Sequence, residues 1–150
     1  YALAGGLGLV AASDIALSTP DAVFGLPEVK LGLAPLVVMK PLSAITNKRI
    51  LSRIALTGER LSASDALAAG LVTEIINQEQ IKQRSLEYIK CCINNGPEAL
   101  AHTKESIRRM EELTIEDLAD NSALRSLSPE AREGLLAFNE KRKPKWINTP

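Results

Sequence analysis

Apolar and polar positions along the chain change period at a few clear places. The first stretch, Tyr1-Ala2-Leu3-Ala4-Gly5-Gly6-Leu7-Gly8-Leu9-Val10-Ala11-Ala12, sets glycines at 5, 6 and 8 ahead of an apolar run rich in alanine. This predicts a buried helix of small side chains that opens on glycines, where the backbone turns sharply or another group comes close. Asp14 to Leu17 and Ala22 to Gly25 read as two short strands. They flank turn chemistry at Ser18-Thr19-Pro20-Asp21, which suggests a hairpin-like pair. Pro27 cannot donate to a ladder and so ends the second strand. Val29 to Ala34 reads as a glycine-punctuated loop. Pro35 suits the first position of a helix, and Pro41 is expected to break or kink the apolar run behind it.

Lys48 to Thr57 has helical spacing, with Ile50, Ile54 and Thr57 on one face and Gly58 as its C-cap. Ser62 and Asp65 resemble a capping box for a short helix closed by Gly70. Leu71 to Ile76 alternates and is β-branched, which predicts a strand. From there the pattern is helical. Glu79 to Ile93 brings Ile81, Leu86, Ile89 and Ile93 near one face, and Asn94-Asn95-Gly96 stops it. Pro97 starts the next helix and Thr114 with Asp117 another. Ser128-Pro129-Glu130 starts the last, which is expected to reach about Arg142. The tail from Lys145 to Pro150 is expected to be loose. Three short strands against about six helices make the chain α/β with too little sheet to stand alone. The glycine-led helix lacks a strand to feed it and Tyr1 is no start methionine, so the expectation is the C-terminal part of a longer protein. Ile15, Leu17, Val23 and Val72 would then need partners from elsewhere.

Composition narrows the function. At 150 residues, 45% hydrophobic and 24% charged, the chain is ordinary for a soluble globular domain with a core. Its formal net charge is zero, which gives no whole-chain reason to bind nucleic acid or an anionic membrane. Aromatics are only 3%, so the core must be aliphatic and alanine-rich. Cys91 and Cys92 are neighbours, and adjacent helical side chains diverge too far to bridge. The absence of a disulfide framework agrees with a reducing compartment and a cytoplasmic setting. No stretch reads as a signal peptide or a membrane span.

The candidate chemistry sits in two stretches. A helix opening at Gly5 presents free N–H groups and the positive end of its dipole, a place for a phosphate or a developing oxyanion. Gly6-x-Gly8-x-x-Ala11 also fits a dinucleotide fingerprint, with Glu28 as a ribose acid. That reading, a nicotinamide dehydrogenase, needs a strand before the glycines and a βαβ unit around them. The same glycines could simply permit tight helix packing. In Phe24-Gly25-Leu26-Pro27-Glu28-Val29-Lys30, Glu28 stands among apolar and small residues. Desolvation there favours the neutral carboxyl and suits proton transfer. The plainer alternative is a surface ion pair with Lys30. In the last helix Phe138 and Lys141 are one turn apart, an aromatic and a cation that suit a nucleotide; a solvated basic helix end explains them as well. His102, the single histidine, lies far from these stretches and suits packing or surface. No Cys/His cluster suggests a metal.

Six motifs occur in order. They are Tyr-Ala-Leu-Ala-Gly-Gly-Leu-Gly-Leu at 1–9, Ala-Ala-Ser-Asp at 11–14, Phe-Gly-Leu-Pro-Glu at 24–28, Leu-Gly-Leu-Ala-Pro at 31–35, Leu-Thr-Gly-Glu-Arg at 56–60 and Ala-Gly-Leu-Val at 69–72. With them the chain resembles the crotonase superfamily of enoyl-CoA hydratases and isomerases, over essentially its whole length and including Gly134 to Lys143. The resemblance implies a ClpP/crotonase-like fold of ββα units. Residues 1–76 would be the C-terminal part of the core domain, and 77–150 a helical region for trimerisation and CoA contact. It implies an acyl-CoA thioester substrate, with coenzyme A as part of that substrate and no tightly bound cofactor. A homotrimer or hexamer is implied, with neither nucleic acid nor membrane as partner.

The resemblance also assigns residues. Gly5 N–H becomes one of two oxyanion donors, and Glu28 the proton-moving carboxylate. Gly6, Pro27, Phe138 and Lys141 join substrate and CoA binding. Gly8 stands where hydratases of the family commonly carry a second glutamate. With Glu28 alone, one carboxyl must take a proton and return it. Hydration is the leading expectation; a Δ3,Δ2-enoyl-CoA isomerase, which needs only one shuttle, is the alternative, and a catalytically silent structural segment is a third. Leu36-Val37-Val38-Met39 replaces the family's usual glycine-rich stretch and changes the pocket wall.

Overall fold

A computed structural model of the chain describes residues 1–147. It divides into two compact units, Tyr1–Ser85 and the residues from Leu86 onward. In the first unit β1 (Ala2–Leu3) runs into α1 (Gly5–Ala12), followed by β2 (Leu17–Ser18) and β3 (Val23–Gly25). A 3-10 turn at Pro27–Leu31 leads to α2 (Leu36–Ile45) and α3 (Lys48–Thr57). Then come β4 (Arg60–Ser62), α4 (Ala63–Ala68), β5 (Glu74–Ile75), a 3-10 turn at Gln78–Gln80 and α5 (Ile81–Ile93), inside which the two units divide.

One sheet has the order β1-β3-β4. β1 is parallel to β3, with Ala2 opposite Phe24 and Leu3 opposite Gly25, and β3 is antiparallel to β4, with Phe24 opposite Leu61. The other pairs β2 with β5 in parallel, Leu17 opposite Glu74. The expected hairpin is therefore absent: β2 and β3 belong to different sheets, and β3 is a parallel partner of β1. β2, expected from Asp14, begins late because Ser13 closes α1, its hydroxyl donating to Leu9 O at 3.0 Å. Asp14 and Ile15 then form a bend, and pairing starts at Ala16, which exchanges bonds with Thr73. The strand expected at Leu71–Ile76 shrinks to two residues, since Leu71 N–H donates back to Ala66 O at 2.9 Å and the Leu71 and Val72 side chains go into the core.

Leu7, Leu26, Leu42, Ile54 and Leu71 are fully buried and form the centre of this core. On α3 the buried stripe is Leu51, Ile54 and Ala55, with Thr57 exposed, rather than the expected Ile50, Ile54 and Thr57. Pro41 sits inside α2 without ending it. It removes one donor, but the turns on either side hold, Met39 N–H on Pro35 O and Thr46 N–H on Leu42 O, both at 3.1 Å, and Leu42 is anchored in the core. Asn47 caps α3, accepting from Ile50 N–H at 3.0 Å, and Ser62 with Asp65 forms the full capping box at α4.

The second unit continues α5 and adds α6 (Pro97–Arg108), α7 (Ile115–Ser126) and α8 (Pro129–Asn139). Helices α5, α6 and α7 bury no residue fully. Local polar bonds hold this unit. Thr114 and Asp117 form a capping box on α7. The Glu130 carboxylate accepts from Glu98 and Ala99 N–H at 2.9 and 2.7 Å, capping α6 from α8. Helix α8 stops at Asn139, short of the expected Arg142, and Lys141 takes a left-handed turn with φ 53°. The tail is pinned where looseness was expected. Arg142 grips Glu133 with its two terminal guanidinium nitrogens, at 2.6 and 3.2 Å, and Lys145 N–H donates to the same carboxylate at 3.0 Å. Trp146 donates its indole N–H to Asn94 O at 3.3 Å. The tail beyond Ile147 lies outside the described residues. Cys91 and Cys92 are free thiols.

Candidate active site

The site is built where two parallel strands end. At the end of β1, Ala4 turns the chain from strand to helix in one residue, with φ 52° and ψ −126°. That backbone is strained for an L-residue, at a cost of about 1–3 kcal/mol. Ala4 N–H donates to Gly25 O at 3.0 Å, which carries the β1–β3 ladder one residue further. Its carbonyl accepts from Leu7 and Gly8 at 3.0 and 3.4 Å. The N–H groups of Gly5 and Gly6 precede those bonds and are among the donors that a helix cannot satisfy internally. No side chain caps this end. A Cβ on either glycine would meet nothing within 4 Å, so the space beside them is open.

Because β3 is parallel to β1, its chain leaves on the same edge, where ligands of parallel sheets bind. Leu26 is buried, Pro27 opens the 3-10 turn and Glu28 is its second residue. Glu28 Oε2 is buried and has no hydrogen-bond partner among the described residues. Buried polar atoms are nearly always satisfied, so an orphan of this kind asks for an explanation. The ion pair with Lys30 is not among those of the described residues; the Lys30 stem lies against Gly58 instead.

Two glycines press the connection from α3 to β4 onto this turn. Gly58 caps α3 with φ 61°, and a Cβ there would stand 3.0 Å from Lys30 Cε and 3.2 Å from Val29 Cγ2. At Gly25 a Cβ would come within 2.8 Å of Glu59 O. The sequence shows Gly58 only as a cap and Gly25 only as a strand end. A glycine inside a strand pattern is the usual sign of close backbone approach, and it was the available signal for Gly25. An apolar cleft of about 610 Å³ opens next to the turn, lined by Val29, Pro35, Leu36, Met39, Leu51 and Leu56 among others.

The structure thus brings Gly5, Gly6, Pro27 and Glu28 to one sheet edge. Gly8 faces α2, where its Cβ would be 3.3 Å from Val38 Cγ1. Phe138 and Lys141 belong to the second unit. Their shared helix face does not exist, because the helix ends between them. Phe138 is 81% exposed, and Lys141 N–H donates to Phe138 O at 3.2 Å. The dinucleotide fingerprint fails for a related reason: α1 begins on Gly5, so Gly6 and Gly8 lie inside the helix and leave no glycine loop ahead of it. The strand parallel to β1 is β3, the second strand after α1, which the sequence pattern did not suggest.

The sequence profile of the family described as enoyl-CoA hydratase/isomerase matches residues 1–149. The chain belongs to the enoyl-CoA hydratase/isomerase family. It is 34% identical to a carnitinyl-CoA dehydratase of Escherichia coli O157:H7, with 97% of this chain and 59% of that protein covered. Among solved structures it is similar to an enoyl-CoA hydratase/isomerase of Marinobacter aquaeolei, at TM-score 0.90 and 31% identity, over 98% of this chain and 58% of the other. It is also similar to an enoyl-CoA hydratase of Shewanella pealeana, at TM-score 0.88 and 35% identity, over 97% and 56%. The fold is therefore crotonase-like α/β, and the chain spans somewhat over half the length of these relatives. Among the described residues no group of three His, Cys, Asp or Glu could hold a metal ion, and no helix is long and apolar enough to cross a membrane.

Proposed function

We propose that this chain carries the proton-moving half of an acyl-CoA thioester site, with enoyl-CoA hydration as its leading reaction. Gly5 N–H donates to the thioester oxygen as it becomes an enolate. Glu28 takes the proton of the water that adds to C3 and returns it to C2. The observation that carries this reading is Glu28 Oε2, buried without a partner on the edge where α1 presents its free N–H groups. A carboxylate without a hydrogen bond is available to a substrate proton. The E. coli relative is a dehydratase by name, and dehydration is the reverse of such a hydration.

A second reading draws support from Gly8. With no side chain at 8 and Val38 over it, Glu28 is the carboxylate this edge offers. One carboxylate suffices to take a proton from C2 of a 3-enoyl-CoA and deliver it to C4, which is an isomerisation. In either reaction coenzyme A arrives as part of the substrate. The exposed Phe138 ring and the Lys141 ammonium suit its adenine and phosphates. The many exposed apolar residues of α5 to α8 suit a homotrimer or hexamer.

The test is turnover of crotonyl-CoA and of a 3-enoyl-CoA by the full-length protein and its Glu28→Gln variant. Loss of general acid–base catalysis should lower kcat by roughly 10²–10⁴. Near-normal turnover of both substrates by the variant would sink the assignment. A wild-type protein that folds and turns over neither would favour a silent structural role.

A further inference from the structure

The apolar cleft beside the Glu28 turn has two unlike ends. Helix α2 leaves the turn at Leu36 and runs to Ile45; α3 comes back from Lys48 to Gly58, where a Cβ would stand 3.2 Å from Val29 Cγ2. Ten residues of helix span about 15 Å, so the cleft between the two helices reaches well away from the turn. Its near end is apolar, with Val29, Pro35, Leu36 and Leu56. Its far end has Ser43, Thr46 and Lys48. The Ser43 hydroxyl donates to Lys40 O at 2.8 Å. Thr46 Oγ1 is buried and has no hydrogen-bond partner among the described residues, a state that destabilises a hydroxyl.

The charge at this far end is unbalanced as well. Lys48 stands on the cleft wall, and no Asp or Glu lines the cleft among the described residues. Lys48 and Arg49 open the first turn of α3 with no acidic residue beside them. Cations there oppose the helix dipole, and neither has an ion pair among the described residues. An anion seated between Thr46 and Lys48 would offset both defects, accepting from the hydroxyl and from the ammonium. The apolar walls that lead to it suit an aliphatic chain.

We propose that this cleft binds an aliphatic chain that ends in a carboxylate, with Lys48 and Thr46 holding the carboxylate. Resting on the acyl-CoA reading above, the chain is the substrate's own acyl group. Its reacting carbons lie at Glu28 and its far end carries the carboxylate, as in the monothioester of a medium-chain dicarboxylic acid. A chain ending in methyl gains only the apolar walls. A chain ending in a quaternary ammonium meets Lys48 as a like charge.

Two measurements on the full-length protein keep these claims apart. Octanoate binding by titration calorimetry tests the cleft whatever the reaction. Wild type should bind octanoate, and Lys48→Met and Thr46→Val should each weaken binding roughly tenfold or more. Thr46→Val should also raise Tm, because it removes an unmet hydroxyl; a fall in both would mark Thr46 as structural and overturn its role. No binding by wild type, as a second copy or another segment seated in the cleft would cause, overturns the proposal. So does binding unchanged in Lys48→Met. The second measurement compares kcat/KM for two medium-chain 2-enoyl-CoA substrates of equal length, one ending in carboxylate and one in methyl. Wild type should prefer the carboxylate roughly tenfold or more, and Lys48→Met should erase that preference. No preference in a wild type that turns over both would overturn the assignment of the cleft to the acyl chain. Turnover of neither, with octanoate binding as predicted, would fail the acyl-CoA reading and uphold the cleft.

Discussion

The two units are held together by different physics. In Tyr1–Ser85 the elements share one apolar core, with Leu7, Leu26, Leu42, Ile54 and Leu71 fully buried from five different segments. From Leu86 onward the helices have caps, ion pairs and a pinned tail, but among the described residues only Ala137 is a fully buried hydrophobic. Leu124 on α7 is 63% exposed and Ile115 is 73% exposed. A core of the first kind can over-determine a strained residue such as Ala4 and an unpaired carboxylate such as Glu28. Local caps cannot, because each stabilises one helix end. The candidate chemistry sits where the packing is tight enough to hold it.

The largest expected contrast comes from truncating one aliphatic side chain in each unit. Ile54→Ala should cost about 2–5 kcal/mol, the range for a fully buried large-to-small change. With the full-length protein held monomeric by dilution, Leu124→Ala should stay within about 0.5 kcal/mol, as exposed substitutions do. Denaturant unfolding of the full-length protein measures both. An equal loss at Leu124 would break the contrast, and would show that α7 is covered in solution.

Next in size is a pair of glycines. Gly25→Ala would drive a Cβ to 2.8 Å from Glu59 O, a backbone atom that cannot rotate away. Overpacking of this sort costs about 1–3 kcal/mol. Gly6→Ala has free space and replaces a helical glycine, so it should stabilise by roughly 0.5–1 kcal/mol. Thermal melting of the two variants separates them. Equal shifts would mean that the α3–β4 connection gives way and does not brace the Glu28 turn.

The smallest effect is acid dependence, and it should mark the capped helices. Thr114 hydrogen bonds hold Asp117 below its ordinary 3.8, Ser62 holds Asp65 below the same value, and the Arg142 side chain holds Glu133 below 4.5. A carboxylate with a lowered folded pKa stabilises fully above its ordinary value, and that contribution is lost as pH falls through the lowered one. Tm should be flat from about pH 7 to 5 and fall below about pH 4. Thr114→Val should shrink the fall. A decline that begins near neutral pH would need a different titrating group.

The same division explains what could be read from the sequence. Helix ends were legible, because Ser62-Asp65, Thr114-Asp117 and Gly58 announce themselves locally. Glu28 and the glycine-led helix were legible as chemistry for the same reason. Strand pairing was not. Ala2 meets Phe24 and Leu17 meets Glu74 across the chain, and two-residue strands carry no period. Pro41 misled because its local cost was outweighed by the anchoring of Leu42. The contacts of Gly8 with Val38 and of Gly25 with Glu59 are tertiary, and a glycine gives no hint of what will stand beside it. Trp146 read as loose tail because its acceptor, Asn94, is remote in sequence.

The central claim is that Glu28 moves a proton at C2 beside an oxyanion donor on α1. Enolate formation can be tested apart from the choice between hydration and isomerisation. Butyryl-CoA incubated in D2O with the full-length protein should take up deuterium at C2. Glu28→Gln should slow that uptake by roughly 10²–10⁴ while butyryl-CoA still binds. Undiminished exchange in Glu28→Gln would contradict the account.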